Sequence, residues 1–220
     1  MRLNPIYDYP TVAANTKKNG SRTYNTPSGP APSVTTILSG TKDMTFLKEW
    51  KKRVGKDQAE KIVKRSTTLG TKVHENLEKY ILEGAEPQGD IFSVAMTKKI
   101  IQNGLSKIDQ IWGCEVSVYA DGLYAGTTDA VGIHEGIPSI IDFKNARSFR
   151  KDEWVGDYKL QTAAYALAHN EMFGTDIKRG VIMLATQQGH YQEWIVEGDD
   201  FVAATEEWAE RVQKYYAKFK

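Results

Sequence analysis

The chain contains 220 residues, of which 40% are hydrophobic and 26% are charged. These shares are typical of soluble globular domains, and they exclude a largely disordered chain, a collagen-like repeat and a short disulfide scaffold. The 29 basic and 28 acidic residues give a formal charge of +1 at pH 7. Such a balance disfavours a protein that coats DNA or membranes by bulk charge, but it allows a local basic groove. The length is enough for one large domain with its own core.

The sequence predicts a location in a reducing compartment. No apolar run approaches the roughly 20 residues that span a bilayer, and the N-terminus has neither an apolar signal segment nor an Arg-rich transit pattern. The single cysteine, Cys114, allows no internal disulfide, and its commonest role would be that of a small buried apolar side chain. We therefore expect a cytoplasmic protein of bacterial or phage origin, with no membrane partner.

The first 32 residues hold five of the seven prolines. This predicts an extended N-terminal arm over residues 1–32, with a short hairpin around 17–20, because Asn19-Gly20 is a favourable turn pair. Apolar residues then recur at helical spacing. They predict a short helix capped by Ser33 and longer helices over 43–54, 57–83 and 91–108. Gly84 is suited to end the helix over 57–83.

The middle of the chain changes to the period-two alternation of strands. Strands are predicted over 111–119, 123–133 and 139–144, and turns at Asp121-Gly122 and Glu135-Gly136 join them into a meander. The remaining predicted elements are a helix over 152–173, strands over 181–186 and 191–196, and a helix over 199–218. Together they predict an α/β fold with a central mixed sheet flanked by helices. Residues 33–220 would form one domain, made of a helical layer (33–108), a core (109–196) and a C-terminal helix (197–220).

One strand combines an acid with a lysine. Side chains alternate along a strand, so Asp142 and Lys144 share one side while Ile141 and Phe143 face the other. A second acid, Asp129, ends a neighbouring predicted strand and comes beside Asp142 if the two strands pair. Two carboxylates with a lysine could hold Mg²⁺ or Mn²⁺ and stabilise negative charge in phosphodiester hydrolysis. A solvated strand face or a simple ion pair is the alternative.

Several short motifs follow one another in a recognisable order. They are Pro32-Ser-Val-Thr-Thr-Ile-Leu38, Leu47-x-x-Trp50-x-x-Arg53, Leu69-Gly-Thr-Lys-Val-His74-Glu, Gly126-Thr-Thr-Asp129, Asp142-Phe-Lys144 and Gln161-Thr-Ala-Ala-Tyr165. This series resembles the RecB-like branch of the PD-(D/E)xK nuclease superfamily, and is most similar to the mitochondrial genome maintenance exonucleases and their phage relatives. The resemblance covers roughly residues 24–196 and implies a restriction-endonuclease-like core.

The resemblance also implies a role for each matching residue. The implied metal ligands are Asp129, Asp142, the backbone carbonyl of Phe143, and His74 from the helical layer. Lys144 would be the catalytic lysine. Gln161 and Tyr165, four apart on one helix face, would position DNA or the attacking water, and Glu115 matches a further acidic position. Thr128 stands where the superfamily has proline before the first acid, a departure shared by many RecB-like members.

Each of these residues also has a structural interpretation. His74 could be a half-buried helix histidine, Gln161 and Tyr165 could simply pack helix on sheet, and Glu115 could pair with a lysine. The other three histidines have no partner at a metal-binding spacing, and we expect surface or structural positions for them: His134, His169 and His190.

The near-zero net charge hides a strong polarity. Residues 42–65 hold nine basic and four acidic residues, a net +5, whereas residues 197–210 hold six acidic and no basic ones. The first segment would contact a phosphate backbone with salt-sensitive affinity. Further basic residues follow the acid–lysine strand, namely Arg147, Arg150 and Lys151. The candidates for base stacking are Tyr24, Phe46, Trp50 and Trp154, although core packing is an equal alternative for each.

Together these observations predict a Mg²⁺- or Mn²⁺-dependent DNA exonuclease. It would act as a monomer on single-stranded DNA with a free end, in replication, repair or recombination. Two alternatives stay open at this point. One is a structure-selective endonuclease on the same fold, and the other is a non-catalytic DNA-binding recombination module.

Overall fold

The structure is a computed structural model that describes residues 2–17 and 20–219, without the side chain of Phe46. Two predictions therefore fall partly outside the described residues. Lys18 and Asn19 of the predicted hairpin turn are not described, although the segments on either side pair as antiparallel strands. The stacking role predicted for Phe46 likewise lies outside the described residues.

The described residues form strands and helices in an order close to the predicted one. The strands are β1 (Arg2–Leu3), β2 (Ala14–Thr16), β3 (Arg22–Thr26), β4 (Gly29–Pro32), β5 (Ile108–Ala120), β6 (Tyr124–His134), β7 (Ile137–Ala146), β8 (Gly180–Thr186) and β9 (Tyr191–Val196). The helices are α1 (Val34–Thr41), α2 (Thr45–Val54), α3 (Lys56–Glu83), α4 (Ile91–Asn103), α5 (Gly156–Phe173) and α6 (Gly198–Tyr216).

A six-stranded mixed sheet in the order β1-β5-β6-β7-β8-β9 is the centre of the fold. The strands β5, β6 and β7 form the predicted antiparallel meander. Helix α5 then connects β7 to β8. Strand β8 pairs parallel to β7, and β9 pairs antiparallel to β8. The predicted fold class, a central mixed sheet flanked by helices, is confirmed. Among residues 2–17 and 20–219, every helix is too short or too polar to cross a lipid bilayer.

Each face of the sheet has its own core. Helices α3 and α4 cover one face, where Val73 and Ile100 pack in the same cluster as Ile141 and Phe143. Helices α1, α5 and α6 cover the other face, where Ile140 belongs to the opposite cluster. The alanine-rich sequence of α5 suits this position, since small side chains let the helix approach the sheet closely. Removal of each large apolar side chain from water stabilises the fold by roughly 1.5–3 kcal/mol.

Two helix boundaries differ from the prediction. The helix predicted over 91–108 ends at Asn103, a 3₁₀ turn covers Leu105–Lys107, and β5 already starts at Ile108. Gly104 is the C-cap, and no side chain fits there, because a Cβ would lie 2.5 Å from Met183 Sδ and 2.7 Å from the Tyr191 hydroxyl. The helix predicted over 152–173 starts as a separate 3₁₀ turn, Asp152–Trp154, before α5.

Two predicted caps are confirmed. The hydroxyl of Ser33 accepts a hydrogen bond from the N–H of Thr36 at the start of α1. Gly84 ends α3 with φ 69°, a left-handed conformation that glycine adopts without steric cost.

The residues predicted as an extended arm hold four short strands. β1 adds to the edge of the central sheet, while β2, β3 and β4 form a small antiparallel sheet. Tyr7 and Tyr9 lie between these strands and contact the rings of His169 and Phe173 on α5. The N-terminal segment is thereby attached to the helical side of the domain.

Candidate metal centre

The site lies where β6 and β7 separate. Their pairing runs from His134↔Ile137 to Ala130↔Ile141 and ends there. Asp129 and Asp142 come next on the two strands, beyond the last pair. The carboxylate of Asp129 accepts a hydrogen bond from the N–H of Phe143 at 2.6 Å. The Asp129 side chain therefore bridges the gap that opens between the two strands, and this hydrogen bond keeps it beside the Asp142-Phe-Lys motif.

Three side chains from different elements converge at this point. His74 Nδ1 of α3 lies 3.3 Å from Asp129 Oδ1 of β6 and 3.8 Å from Glu115 Oε1 of β5. In the described part of the chain, this is the only group of three His, Cys, Asp or Glu residues whose ligand atoms all lie within 4.8 Å of one another. Sequence reasoning named all three residues, but it gave Glu115 the least defined role.

The backbone of Glu115 is unusual. Its φ of 51° is left-handed, and Glu135 is the only other described residue besides glycine with a positive φ. Left-handed backbone at a non-glycine residue within a strand is strained, and it persists where the surrounding structure enforces it, often at functional sites. This local twist interrupts the regular alternation of β5 next to the cluster.

Asp142 and Lys144 form a close ion pair beside the cluster. Lys144 Nζ lies 2.6 Å from Asp142 and donates its hydrogen bond to Oδ1. Lys144 Nζ also lies 5.1 Å from the centre of the Tyr158 ring, a cation–π contact. Asp142 therefore lies next to the group of His74, Glu115 and Asp129 and not within it.

Burial and crowding shift the pKa values of these groups. Burial alone would lower the pKa of His74, but contacts with Asp129 and Glu115 outweigh it and raise the pKa to about 10. Burial raises the pKa of Asp142 to about 6 against the opposing charge of Lys144, with a further contribution from Asp129. Burial would raise the pKa of Asp129, but the charge of His74 outweighs burial and holds the Asp129 pKa below its usual range. Burial would lower the pKa of Lys144, but Asp142 and Asp129 raise it. The lysine therefore stays charged.

The donor set fits a divalent cation. Lys144 Nζ lies 2.6 Å from both oxygens of the buried Asp142 carboxylate and is its counterion, so the cluster of His74, Glu115 and Asp129 is the group open to a metal ion. Carboxylate oxygens with one imidazole are ligands that suit Mn²⁺ and, apart from the imidazole, Mg²⁺. The residues that could hold such an ion are His74, Glu115 and Asp129, and ligation by Asp142 stays a prediction. Ligation by the Phe143 carbonyl stays a prediction.

The helical pair predicted to flank the site is also in contact. Gln161 Nε2 donates to the Tyr165 hydroxyl at 3.2 Å. The ring of Tyr165 packs against Gly126 of β6, where a Cβ would lie 2.6 Å from Tyr165 Cε1. Burial, together with the charge of Asp142, raises the pKa of Tyr165, so its hydroxyl stays protonated as a donor. The glycine of the Gly-x-x-Asp motif thus has a packing role, and the action of Gln161 and Tyr165 on DNA or water stays a prediction.

The remaining histidines lie outside this cluster, whereas Cys114 directly precedes Glu115 and is partly buried. His134 and His169 are fully buried, which is the structural position of the two predicted, and His190 is exposed at the surface. His169 contacts the Tyr9 hydroxyl at 3.0 Å and Thr175 Oγ1 at 2.8 Å, which is a structural role. Burial and the nearby Glu115 raise the pKa of Cys114 to about 12, which keeps its thiol protonated.

The aromatic residues that were candidates for base stacking differ in their exposure to solvent. Tyr24 is buried with its hydroxyl against Thr127 Oγ1, so a stacking role was wrong for it. Trp50 is half-buried, and Trp154 is 52% exposed. Sequence reasoning missed Tyr158, because its contact with Lys144 depends on how α5 docks on the sheet.

Comparison with known proteins gives only distant likenesses. No family model and no curated protein matches the sequence. A crystal structure of a candidate exonuclease from Eubacterium rectale is 15% identical with a TM-score of 0.49, over 70% of this chain and 65% of that one. The structure of SSO0001 is 17% identical with a TM-score of 0.34, over 53% of this chain and 54% of that one. The chain thus spans less than two thirds of either protein's length. At these values neither likeness identifies a family or an activity.

Proposed function

We propose that the protein is a Mg²⁺- or Mn²⁺-dependent nuclease that hydrolyses phosphodiester bonds of single-stranded DNA from a free end. The observation that carries this proposal is the convergence of His74, Glu115 and Asp129 beside the Asp142–Lys144 pair, where β6 and β7 separate. The acids and the imidazole provide a site for a cation. The charged lysine beside them provides a positive group that can contact a reacting phosphate. A cluster of acids that merely faces solvent would not have a buried lysine beside it.

The residues divide the chemistry between them. A bound divalent ion supplies Lewis acidity and lowers the pKa of a bound water. His74, Glu115, Asp129 and Asp142 hold it there. Lys144, charged and fixed by Asp142, orients the attacking water and stabilises negative charge that develops on the phosphate. Every residue of the site comes from one chain, so a monomer suffices.

A basic groove along α3, the helix that also carries His74, supports a nucleic-acid substrate. It has a volume of about 660 Å³ and is lined on α3 by residues of one helical face: Lys61, Lys64, Arg65, Thr68 and Lys72. Gln187 lines it too and donates its N–H to the carbonyl of Ala146 at the end of β7.

Apolar side chains complete this groove. Ile91 and Phe92 at the start of α4 are exposed in it. Cations beside exposed apolar groups suit single strands, which offer both phosphates and unpaired bases. The predicted basic segment 42–65 contributes three of the groove's cations. We place the protein among enzymes that process DNA in replication, repair or recombination in the cytoplasm of a bacterium or of a phage-infected cell.

End-labelled single-stranded, duplex and circular single-stranded DNA test the proposal. Each is incubated with Mg²⁺, Mn²⁺ or EDTA and with wild type, Asp142→Ala or Lys144→Ala. We expect release of short products from linear single strands, no cleavage in EDTA, and loss of cleavage with retained DNA binding in Lys144→Ala. Lys178→Ala, which removes an exposed cation outside the site and both pockets, is the matched control and should stay active.

The circular substrate separates the remaining alternatives. Cleavage of the circular DNA would indicate a structure-selective endonuclease instead of an exonuclease. DNA binding without cleavage in either metal would instead indicate a non-catalytic module. Undiminished activity of Lys144→Ala would contradict the role given to the lysine.

A further inference from the structure

A second pocket adjoins the catalytic lysine from the side of α5. It has a volume of about 600 Å³, and its lining includes Arg150, Trp154, Gly156 and Tyr158. The ring of Tyr158 lines this pocket and also lies 5.1 Å from Lys144 Nζ. Tyr158 therefore links the pocket to the Asp142–Lys144 pair. The basic groove of α3 lies elsewhere, since the two linings share no residue.

Trp154 presents an exposed ring on a well-held loop. The side chain is 52% exposed, although its backbone N–H donates to the carbonyl of Lys151 at 3.0 Å. Gln192 of β9 clamps the loop by accepting from the N–H of Arg150 at 2.7 Å and donating to its carbonyl at 2.8 Å. Trp194 of β9 donates to Asp152 at 2.7 Å. The half-exposed ring is thus fixed in place, with the Lys151 ammonium 5.6 Å from its centre.

Arg150 supplies the pocket with a cation that has no counterion. Its Nε is buried without a hydrogen bond, and its guanidinium forms no ion pair with any residue that the structure describes. The guanidinium carbon lies 6.0 Å from the centre of the Trp154 ring. Both acids of the pocket wall have cationic partners. Asp157 is paired with Lys42 at 2.6 Å and Arg211 at 3.3 Å, and Glu153 with Lys151 at 3.8 Å. Arg150 is therefore available to an anion that enters beside Trp154.

We propose that this pocket binds one nucleotide of the DNA strand next to the bond that is cut, with its base stacked on Trp154 and its phosphate paired with Arg150. This inference rests on the proposed nuclease function. An aromatic face beside a free guanidinium matches the two parts of a nucleotide, because any base can stack on a ring and a guanidinium binds phosphate oxygens. A base that is paired in a duplex cannot stack there, so the pocket selects single strands.

Equilibrium binding tests the pocket without any need for catalysis. A fluorescein-labelled oligothymidylate is titrated in EDTA with wild type, Trp154→Ala, Trp154→Phe and Phe149→Ala, and anisotropy is measured. Phe149 is the matched control, because it is an aromatic residue of the same loop that is 60% exposed and does not line the pocket. We expect Trp154→Ala to weaken binding by roughly fivefold to hundredfold. Trp154→Phe should retain most of the affinity, and Phe149→Ala should match wild type.

An oligonucleotide of abasic residues makes the test specific to stacking. Wild type should bind it more weakly than oligothymidylate, and Trp154→Ala should cause no further loss. Arg150→Gln should lower the slope of log affinity against log salt by about one. Equal affinity of Trp154→Ala and wild type, or an equal loss in Phe149→Ala, would overturn the pocket while leaving the nuclease intact. Wild type that neither binds nor cuts DNA would overturn the proposed function itself.

Discussion

The carboxylate of Asp129 accepts a 2.6 Å hydrogen bond from the backbone N–H of Phe143, across the point where β6 and β7 cease to pair. Asp129 Oδ1 lies 3.3 Å from His74 Nδ1. One carboxylate thus links the strand that carries Asp142 and Lys144 to the helix that carries His74. Its position serves both the fold and the candidate metal centre.

Two substitutions separate these roles of Asp129. Asparagine keeps an oxygen that accepts from Phe143, whereas alanine leaves that buried N–H without a partner. We expect both Asp129→Asn and Asp129→Ala to lose cleavage, since each removes the charged ligand. The alanine variant should be less stable than the asparagine variant by about 1–3 kcal/mol. Urea unfolding without metal measures the difference, and equal stabilities would contradict a structural role for the hydrogen bond.

Metal affinity should rise with pH because of His74. Its pKa of about 10 means that Nδ1 carries a proton at neutral pH, and this proton must leave before the nitrogen binds a cation. Asp142, with a pKa of about 6, is already deprotonated above pH 7. Between pH 7 and 8.5, the affinity for Mn²⁺ should therefore rise by roughly tenfold per pH unit, with release of about one proton.

Calorimetry in buffers of different ionisation enthalpy counts the released protons. His74→Asn should bind Mn²⁺ more weakly and with a much flatter dependence on pH. The exposed His190 is the matched control, and His190→Asn should keep the slope of wild type. A steep slope that persists in His74→Asn would show that another group releases the proton.

How far the sequence predicts this arrangement depends on the range of the interactions. Alternation along a strand is local, so it suffices to place Asp142 and Lys144 on one side of β7, away from the core residues Ile141 and Phe143. The need for glycine at position 104 is not local, because a Cβ there would meet Met183 and Tyr191 from distant strands.

The candidate site shows the same division. Short motifs identify His74 and Asp129, but the place of Glu115 depends on a left-handed backbone that no pattern of side chains reveals. The separation of Asp142 from the three-residue cluster is set by its ion pair with Lys144 and by the divergence of two strands. These are tertiary features, and the sequence predicts the participants without their grouping.

Gly126 should tolerate no side chain. A Cβ at this position would come 2.6 Å from Cε1 and 3.0 Å from the hydroxyl of Tyr165, whose ring is buried. Gly126→Ala should destabilise the protein by about 1–3 kcal/mol, typical of overpacking, and should lower activity by shifting Tyr165. Gly156→Ala is the matched control, since nothing lies within 4 Å of a Cβ there and its stability should not fall. Thermal unfolding compares the two, and equal stabilities would contradict the close packing of Tyr165 on β6.

The buried His169 should make the protein less stable in acid. Burial lowers its pKa from 6.5 to about 4, so the folded state keeps the ring neutral where the unfolded chain binds a proton. Stability is therefore fully present above about pH 6.5 and falls as the pH drops towards 4, by about 3 kcal/mol at most. The cause is the burial of the ring, which also contacts the Tyr9 hydroxyl and Thr175 Oγ1.

Urea unfolding between pH 7.5 and 4.5 measures this dependence for wild type, His169→Asn and His190→Asn. His134, whose pKa burial also lowers, contributes in the same direction to all three proteins, so the difference between them isolates His169. The His169→Asn variant should be less stable at pH 7.5 but should lose less stability on acidification, whereas His190→Asn, altered at an exposed position, should follow wild type. Parallel curves for His169→Asn and wild type would show that the ring is protonated equally in the folded and unfolded states, and that the aromatic cluster of Tyr7, Tyr9 and Phe173 admits a charge.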